Sequence, residues 1–141
     1  MGLRYHPRQG AIVTVDFDAG FVAPEMIKRR LCVVLSKPIQ NRQKLVTVVP
    51  LSLTPPDPRM PYHYCLSIPF ALPQAWGPAP RWVKGDMICA VSWARTDLLR
   101  LGKNADGKRR YQEEVLPPTE FRRVTACVLH GLGLSALTKH L

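Results

Sequence analysis

Acidic side chains are scarce in this sequence: 10 Asp and Glu stand against 20 Lys and Arg in 141 residues, a formal net charge of +10. Paired cysteines are missing as well. Cys32, Cys65, Cys89 and Cys127 stand singly and at wide spacing, with no CxxC and no histidine cluster to complete a zinc tetrahedron, so neither a metal nor a cofactor is expected. Each lies in an apolar run, where a reduced thiol behaves as a small buried hydrophobe, and this favours a cytoplasmic protein. No run approaches the roughly 20 apolar residues of a membrane span. The opening MGLRYHPRQG has no signal-peptide core, so a soluble chain without membrane contact is expected. Internal repeats and linkers are absent too, and the length suits a single domain over 1–141.

What is present is basic charge and β pattern. A positive field on this scale concentrates polyanions, so nucleic acid or an acidic protein is the natural counterpart, although charge alone fits a merely basic surface. Ala11, Val13, Val15 and Phe17 alternate with Thr14 and Asp16, which predicts a half-buried strand after Gly10. The charged loop 18–30 leads to a buried strand over 31–36. A third strand over 45–53 contains Pro50, which implies an edge or a bulge.

Residues 62–68 read as a fourth strand. A Pro-rich excursion at about 69–82 (FALPQAWGPAPRW at its heart) reads as an irregular insertion, and β character resumes from Met87 to Leu101. Asp106-Gly107 marks a hairpin tip flanked by Lys103, Lys108, Arg109 and Arg110, which either track phosphates or decorate a solvated turn. Pro117-Pro118 opens a helix in which Phe121, Val124, Val128, Leu129 and Leu132 recur at helical spacing, with Gly131 and Gly133 to end it. Short strands closed by a C-terminal helix point to a mainly β barrel, because closure removes exposed edges.

The order Gly10-x-Ile12-Val13-x-Val15-Asp16, Glu25 ahead of Arg30, Val33-Val34-Leu35-Ser36, then Val48-Val49-Pro50-Leu51-Ser52 resembles the PemK/MazF toxins of type II toxin-antitoxin systems. The resemblance runs from about residue 9 to 66 and resumes at 86–97 and in the last helix. It implies a small SH3-like (CcdB/MazF-type) barrel with a C-terminal α-helix, a homodimer, and a groove for single-stranded RNA. Such toxins are metal-independent endoribonucleases in which the ribose 2′-hydroxyl attacks the phosphate, and an acidic antitoxin neutralises them.

Cleavage of that kind needs a proton acceptor for the 2′-hydroxyl, a stabiliser of the extra phosphorane charge and a proton for the departing 5′-oxygen. Arg30 matches the family arginine, and its planar fork suits a phosphate. Ser52 stands where the family has Thr or Ser. His63 titrates near neutrality and Glu25 precedes Arg30 in the same loop; these are the candidate bases, Glu25 serving equally well to orient Arg30 by an ion pair. Lys28, Arg29, Tyr62, Ser92 and Arg95 are candidate RNA contacts, and aromatics such as Trp76 and Trp82 lie among Arg59, Arg81 and Lys84, a mixture suited to base stacking.

Bland readings stand beside each of these. Arg30 fits a solvated strand-edge arginine, Ser52 a hydroxyl satisfying the Pro50 kink, and His63 a histidine bonded to backbone. Some relatives carry an acid where this chain has Ser92, an arginine where it has Ala90, and a histidine where it has Pro24. Those departures keep a non-catalytic nucleic-acid- or protein-binding module on the same fold in play. A gyrase poison of the CcdB kind fits less well, since those proteins end in Trp-Gly-Ile and this sequence ends in Lys139-His140-Leu141.

Overall fold

A computed structural model describes residues 2–141. The chain runs β1 (Ile12–Asp16), β2 (Arg29–Val34), β3 (Leu45–Ser52), β4 (His63–Leu66), β5 (Arg81–Lys84), β6 (Cys89–Ser92), β7 (Thr96–Leu98), the hairpin β8 (Arg100–Lys103) and β9 (Arg109–Tyr111), and the helix α1 (Pro118–Gly131). Short 3-10 turns occupy Gly85–Met87, Trp93–Arg95 and Ser135–His140. The main sheet has the antiparallel order β4-β5-β3-β2-β1-β7, with β6 also paired to β3. The expectation of a mainly β protein with a C-terminal helix holds.

Two cores form on the two faces of this sheet. Ile12, Leu31, Val33, Val49, Leu51 and Val83 pack under α1 with Val124, Cys127 and Val128. Val13, Val15, Cys32, Val34, Val46 and Val48 pack on the other face with Phe17, Met26 and Val91. The first strand is therefore buried on both faces, not on one: Ile12 and Thr14 are 3% and 5% exposed. Alternation in the sequence missed this because threonine can be buried when its hydroxyl is bonded, here to the Asp97 carbonyl at 3.4 Å.

Pro50 does not lie on an edge. It sits in β3, the hub of the sheet, opposite Cys32 of β2. The amide of Leu35 donates to Thr47 across that same ladder, so odd-numbered residues of β3 direct their backbone groups at β2 and Pro50 directs its own the other way. On that side β6 pairs with 45–48 and β5 with 51–52, which leaves Pro50 in the gap between two partners. A missing donor leaves no ladder bond unmade there.

Arg81 and Trp82 belong to β5 rather than to the irregular insertion. The Arg81 side chain is 2% exposed and donates to the carbonyls of Ala79 (2.9 Å), Gly77 (3.5 Å) and Trp76, so it pins the excursion from beneath and is not a surface charge. Likewise Leu132 caps α1 and is exposed instead of continuing its apolar stripe. The helix and the 85–87 turn meet backbone to backbone, since a Cβ on Gly131 would fall 2.6 Å from the Gly85 carbonyl oxygen.

Candidate functional site

Alternate residues of a strand share a face, and residues opposed across an antiparallel ladder share it too. Arg30 lies on the same face of β2 as Cys32 and Val34, and Ser52 on the same face of β3 as Val48 and Pro50. Cys32 opposes Pro50, so one further step of the period sets Arg30 against Ser52 where the two strands begin to part. Ser52 in turn opposes Trp82, and Trp82 opposes Cys65. The next row holds Lys84 opposite His63. One end of this face thus carries Arg30, Ser52, Trp82, Lys84 and His63, with the Arg59 guanidinium stacked 5.2 Å from the Trp82 ring centroid.

The Ser52 hydroxyl accepts from the Thr54 amide at 3.2 Å, which fixes its lone pair and leaves its own proton to donate. Arg30 is half-buried, and its Nε donates to the Ile27 carbonyl at 3.0 Å, tying the β1–β2 loop to the start of β2. The two Nη groups remain the part of the fork that can reach an anion. That same loop walls a cleft of about 530 Å³ with Glu25 and Met26 on one side and Asp86, Met87 and Cys89 on the other. Glu25 makes no ion pair with Arg30, among the described residues, and stands exposed at the rim.

His63 lies two strands from β3 and one row along, so its Cα is more than about 10 Å from that of Ser52 by sheet geometry. Its Nδ1 accepts from the Met60 amide at 3.0 Å, and its ring meets Tyr62 edge to face at 4.5 Å. Burial pushes its pKa down, the Lys84 ammonium adds to that, and Asp86 opposes it. The imidazole is accordingly held neutral in a positive neighbourhood.

Other residues singled out by sequence go elsewhere. Arg29 projects from the opposite face to Arg30, where it meets Asp97 at 3.4 Å and Asp16 at 3.9 Å. Lys28 is exposed with φ 70°, its amide bonded to the Asp18 carboxylate at 2.9 Å. Arg95 donates to the carbonyls of Ala19 (2.6 Å) and Asp16 (3.1 Å) and covers the Phe21 ring, so it braces the β1–β2 loop. The Ser92 hydroxyl accepts from the Ala94 amide as the cap of a 3-10 turn. Trp82, Lys84 and Arg59 are legible in the sequence only as members of a basic aromatic mixture; the strict alternation Arg81-Trp82-Val83-Lys84 is the signal that puts Trp82 and Lys84 on one strand, while Arg59 reaches Trp82 from the loop before β4.

Among the described residues no three His, Cys, Asp or Glu side chains cluster in a way that could hold a metal ion, and no helix is long and apolar enough to cross a membrane.

Residues 8–129 match the family of PemK-like, MazF-like toxins of type II toxin-antitoxin systems. No curated protein gives a significant match by sequence. Among solved structures, MazF from Deinococcus radiodurans superposes with a TM-score of 0.60 at 20% identity, covering 92% of this chain and 98% of that one. An endoribonuclease from Mycobacterial species, solved in complex with its cognate antitoxin, gives 0.58 at 16% identity, covering 91% and 96%. A MazE-MazF complex from Deinococcus radiodurans gives 0.54 at 20% identity, covering 93% and 99%. At these identities the structures speak for the fold, and the family match over most of the sequence decides the rest: this chain belongs to the PemK-like, MazF-like toxins of type II toxin-antitoxin systems.

Proposed function

We propose that the protein is a toxin-type endoribonuclease that cuts single-stranded RNA without a metal, with Arg30 and Ser52 at the scissile phosphate. The supporting observation is the shared face: a guanidinium and a hydroxyl set opposite each other at the end of β2 and β3, beside a tryptophan and two further cations. The 2′-oxygen attacks phosphorus, the P–O5′ bond breaks, and a 2′,3′-cyclic phosphate and a 5′-hydroxyl remain. Arg30 Nη groups and the Ser52 O–H stabilise charge on the non-bridging oxygens.

Glu25 takes the 2′-hydroxyl proton, because it is the carboxylate of the anchored loop that lines the cleft, Asp18 being bonded to the Lys28 amide, while the leaving oxygen is protonated by water. His63, two strands away, contacts the neighbouring nucleotide rather than the reacting atoms. Trp82 and Arg59 offer a stacking platform for an adjacent base.

Solved structures described as MazE-MazF and as an endoribonuclease with its cognate antitoxin support a protein antitoxin as the physiological inhibitor here, an acidic one by charge; a homodimer is the working form that the family resemblance implies. Purified protein incubated with single-stranded RNA in EDTA tests the reading. Cleavage that falls by about 10²-fold or more in Arg30→Ala is expected; intact RNA, or cleavage indifferent to the substitution, overturns it. A non-catalytic binding module on the same fold is the second reading, favoured by one observation: the Arg30–Ser52 row itself carries neither carboxylate nor imidazole. RNA retained in a shift assay but never cut by the unaltered protein would decide for it.

A further inference from the structure

The opposite face of the sheet carries a second cationic groove. In the β8–β9 hairpin Arg100 opposes Tyr111, and Arg109 lies two residues from Tyr111 on the same strand, so two cations and one tyrosine share a side, with an irregularity in register before the Lys103–Arg109 pair. That side looks into a groove of about 440 Å³ whose other wall holds Trp76 and Arg29. A second hollow of about 390 Å³ continues from it, sharing Arg109 and Tyr111 and adding Arg4 and Tyr5. Asp97 lies between the two and engages Arg29, so the anion-seeking charges are those of the hairpin and Arg4.

Residues 100–111 carry five Lys and Arg against one Asp. Guanidinium groups spaced around flat rings bind backbone phosphates while successive bases stack, a pattern that tolerates any sequence. Arg29 and Arg30 are neighbours on β2 pointing to opposite faces, so the groove meets the cleavage face across the thickness of a single strand.

We infer that this hairpin groove is an exosite for single-stranded RNA flanking the cleavage position, the polynucleotide turning around the start of β2 from Arg30 to Arg29 and on to Tyr111. The inference rests on the endoribonuclease reading for its substrate, and the test separates the two. An Arg100→Gln/Arg109→Gln variant, both residues exposed and outside either core, is compared with the unaltered protein on two RNAs. One RNA spans only the bases beside the cut; the other extends by several nucleotides on each side.

The short RNA should be cut at an unchanged rate. On the long RNA, KM should rise by about 10-fold and the slope of log affinity against log salt should shrink by about 1.4. Binding of the long RNA, followed by fluorescence anisotropy in EDTA, reads the groove independently of cleavage. Equal affinity for the two proteins overturns the exosite, as does a variant that loses only self-association in sedimentation. Failure of the unaltered protein to cut either RNA removes the nuclease reading instead, and leaves the anisotropy comparison to decide the groove.

Discussion

Position 30 needs arginine for a geometric reason. Its Nε is already committed to the Ile27 carbonyl, so only a side chain with further donors in the same plane can hold the loop and reach a phosphate together. Arg30→Lys keeps the charge and gives up one of those tasks; cleavage rate should fall by about 10²-fold with the melting temperature nearly unmoved, as steady-state kinetics and thermal denaturation would show. The sequence marks Ser52 through the family resemblance and as a hydroxyl near Pro50, but not as the partner of Arg30. Its value lies in register, which no local pattern reveals.

His63 offers a pH prediction at the same scale. Its folded pKa lies below the ordinary 6.5, so the unfolded chain binds the extra proton more readily. Stability from this group is complete above about 6.5 and is lost as pH falls through the lower folded value. In His63→Gln the part of the acid-side loss of stability due to this residue should vanish, while the maximal cleavage rate at neutral pH should persist and KM should rise; a collapsed maximal rate would make His63 the base in place of Glu25.

Elements carry the fold in ways that composition could not announce. The strands over 29–34, 45–52 and 63–66 were legible because β-branched and aromatic residues run between turn signals, and the hairpin tip because Asp-Gly permits positive φ. Strand β5 was hidden by the prolines before it and by an arginine at a core position. That arginine is buried because three carbonyls of the excursion use its donors. Arg81→Met should cost about 1–3 kcal/mol by leaving them unpaired, measurable as a lower urea midpoint together with new protease cuts within 69–80. The Gly131–Gly85 contact was equally invisible, since close backbone approach is a property of two segments. Gly131→Ala should separate α1 from the 85–87 turn at a cost of about 1–3 kcal/mol and loosen the wall formed by Asp86 and Met87.

At the scale of the molecule, cations gather in two places on opposite sides of β2: Arg30, Lys84 and Arg59 on one, and Arg29 with the β8–β9 hairpin on the other. In the proposed reading the side with Arg30, Lys84 and Arg59 takes the reacting phosphate, and the hairpin side takes the strand that leads to it. Affinity for single-stranded RNA should therefore fall as a power of salt, with a slope near −0.7 for each phosphate engaged, and the slope should be steeper for long RNA than for short. Charge pointed to a polyanion from sequence alone, yet the partition between faces depends on strand parity around Arg29 and Arg30, which became readable once β2 was seen to begin at Arg29 instead of after the loop.

The account turns on Arg30 and Ser52 meeting the same phosphate, and a double-mutant cycle on the cleavage rate measures that directly. Two groups serving one transition state lose their joint contribution when either is removed, so Arg30→Ala/Ser52→Ala should be scarcely slower than Arg30→Ala alone. Rate losses that multiply across the two substitutions, or a Ser52→Ala protein that cuts at the full rate, would show that the two side chains act apart.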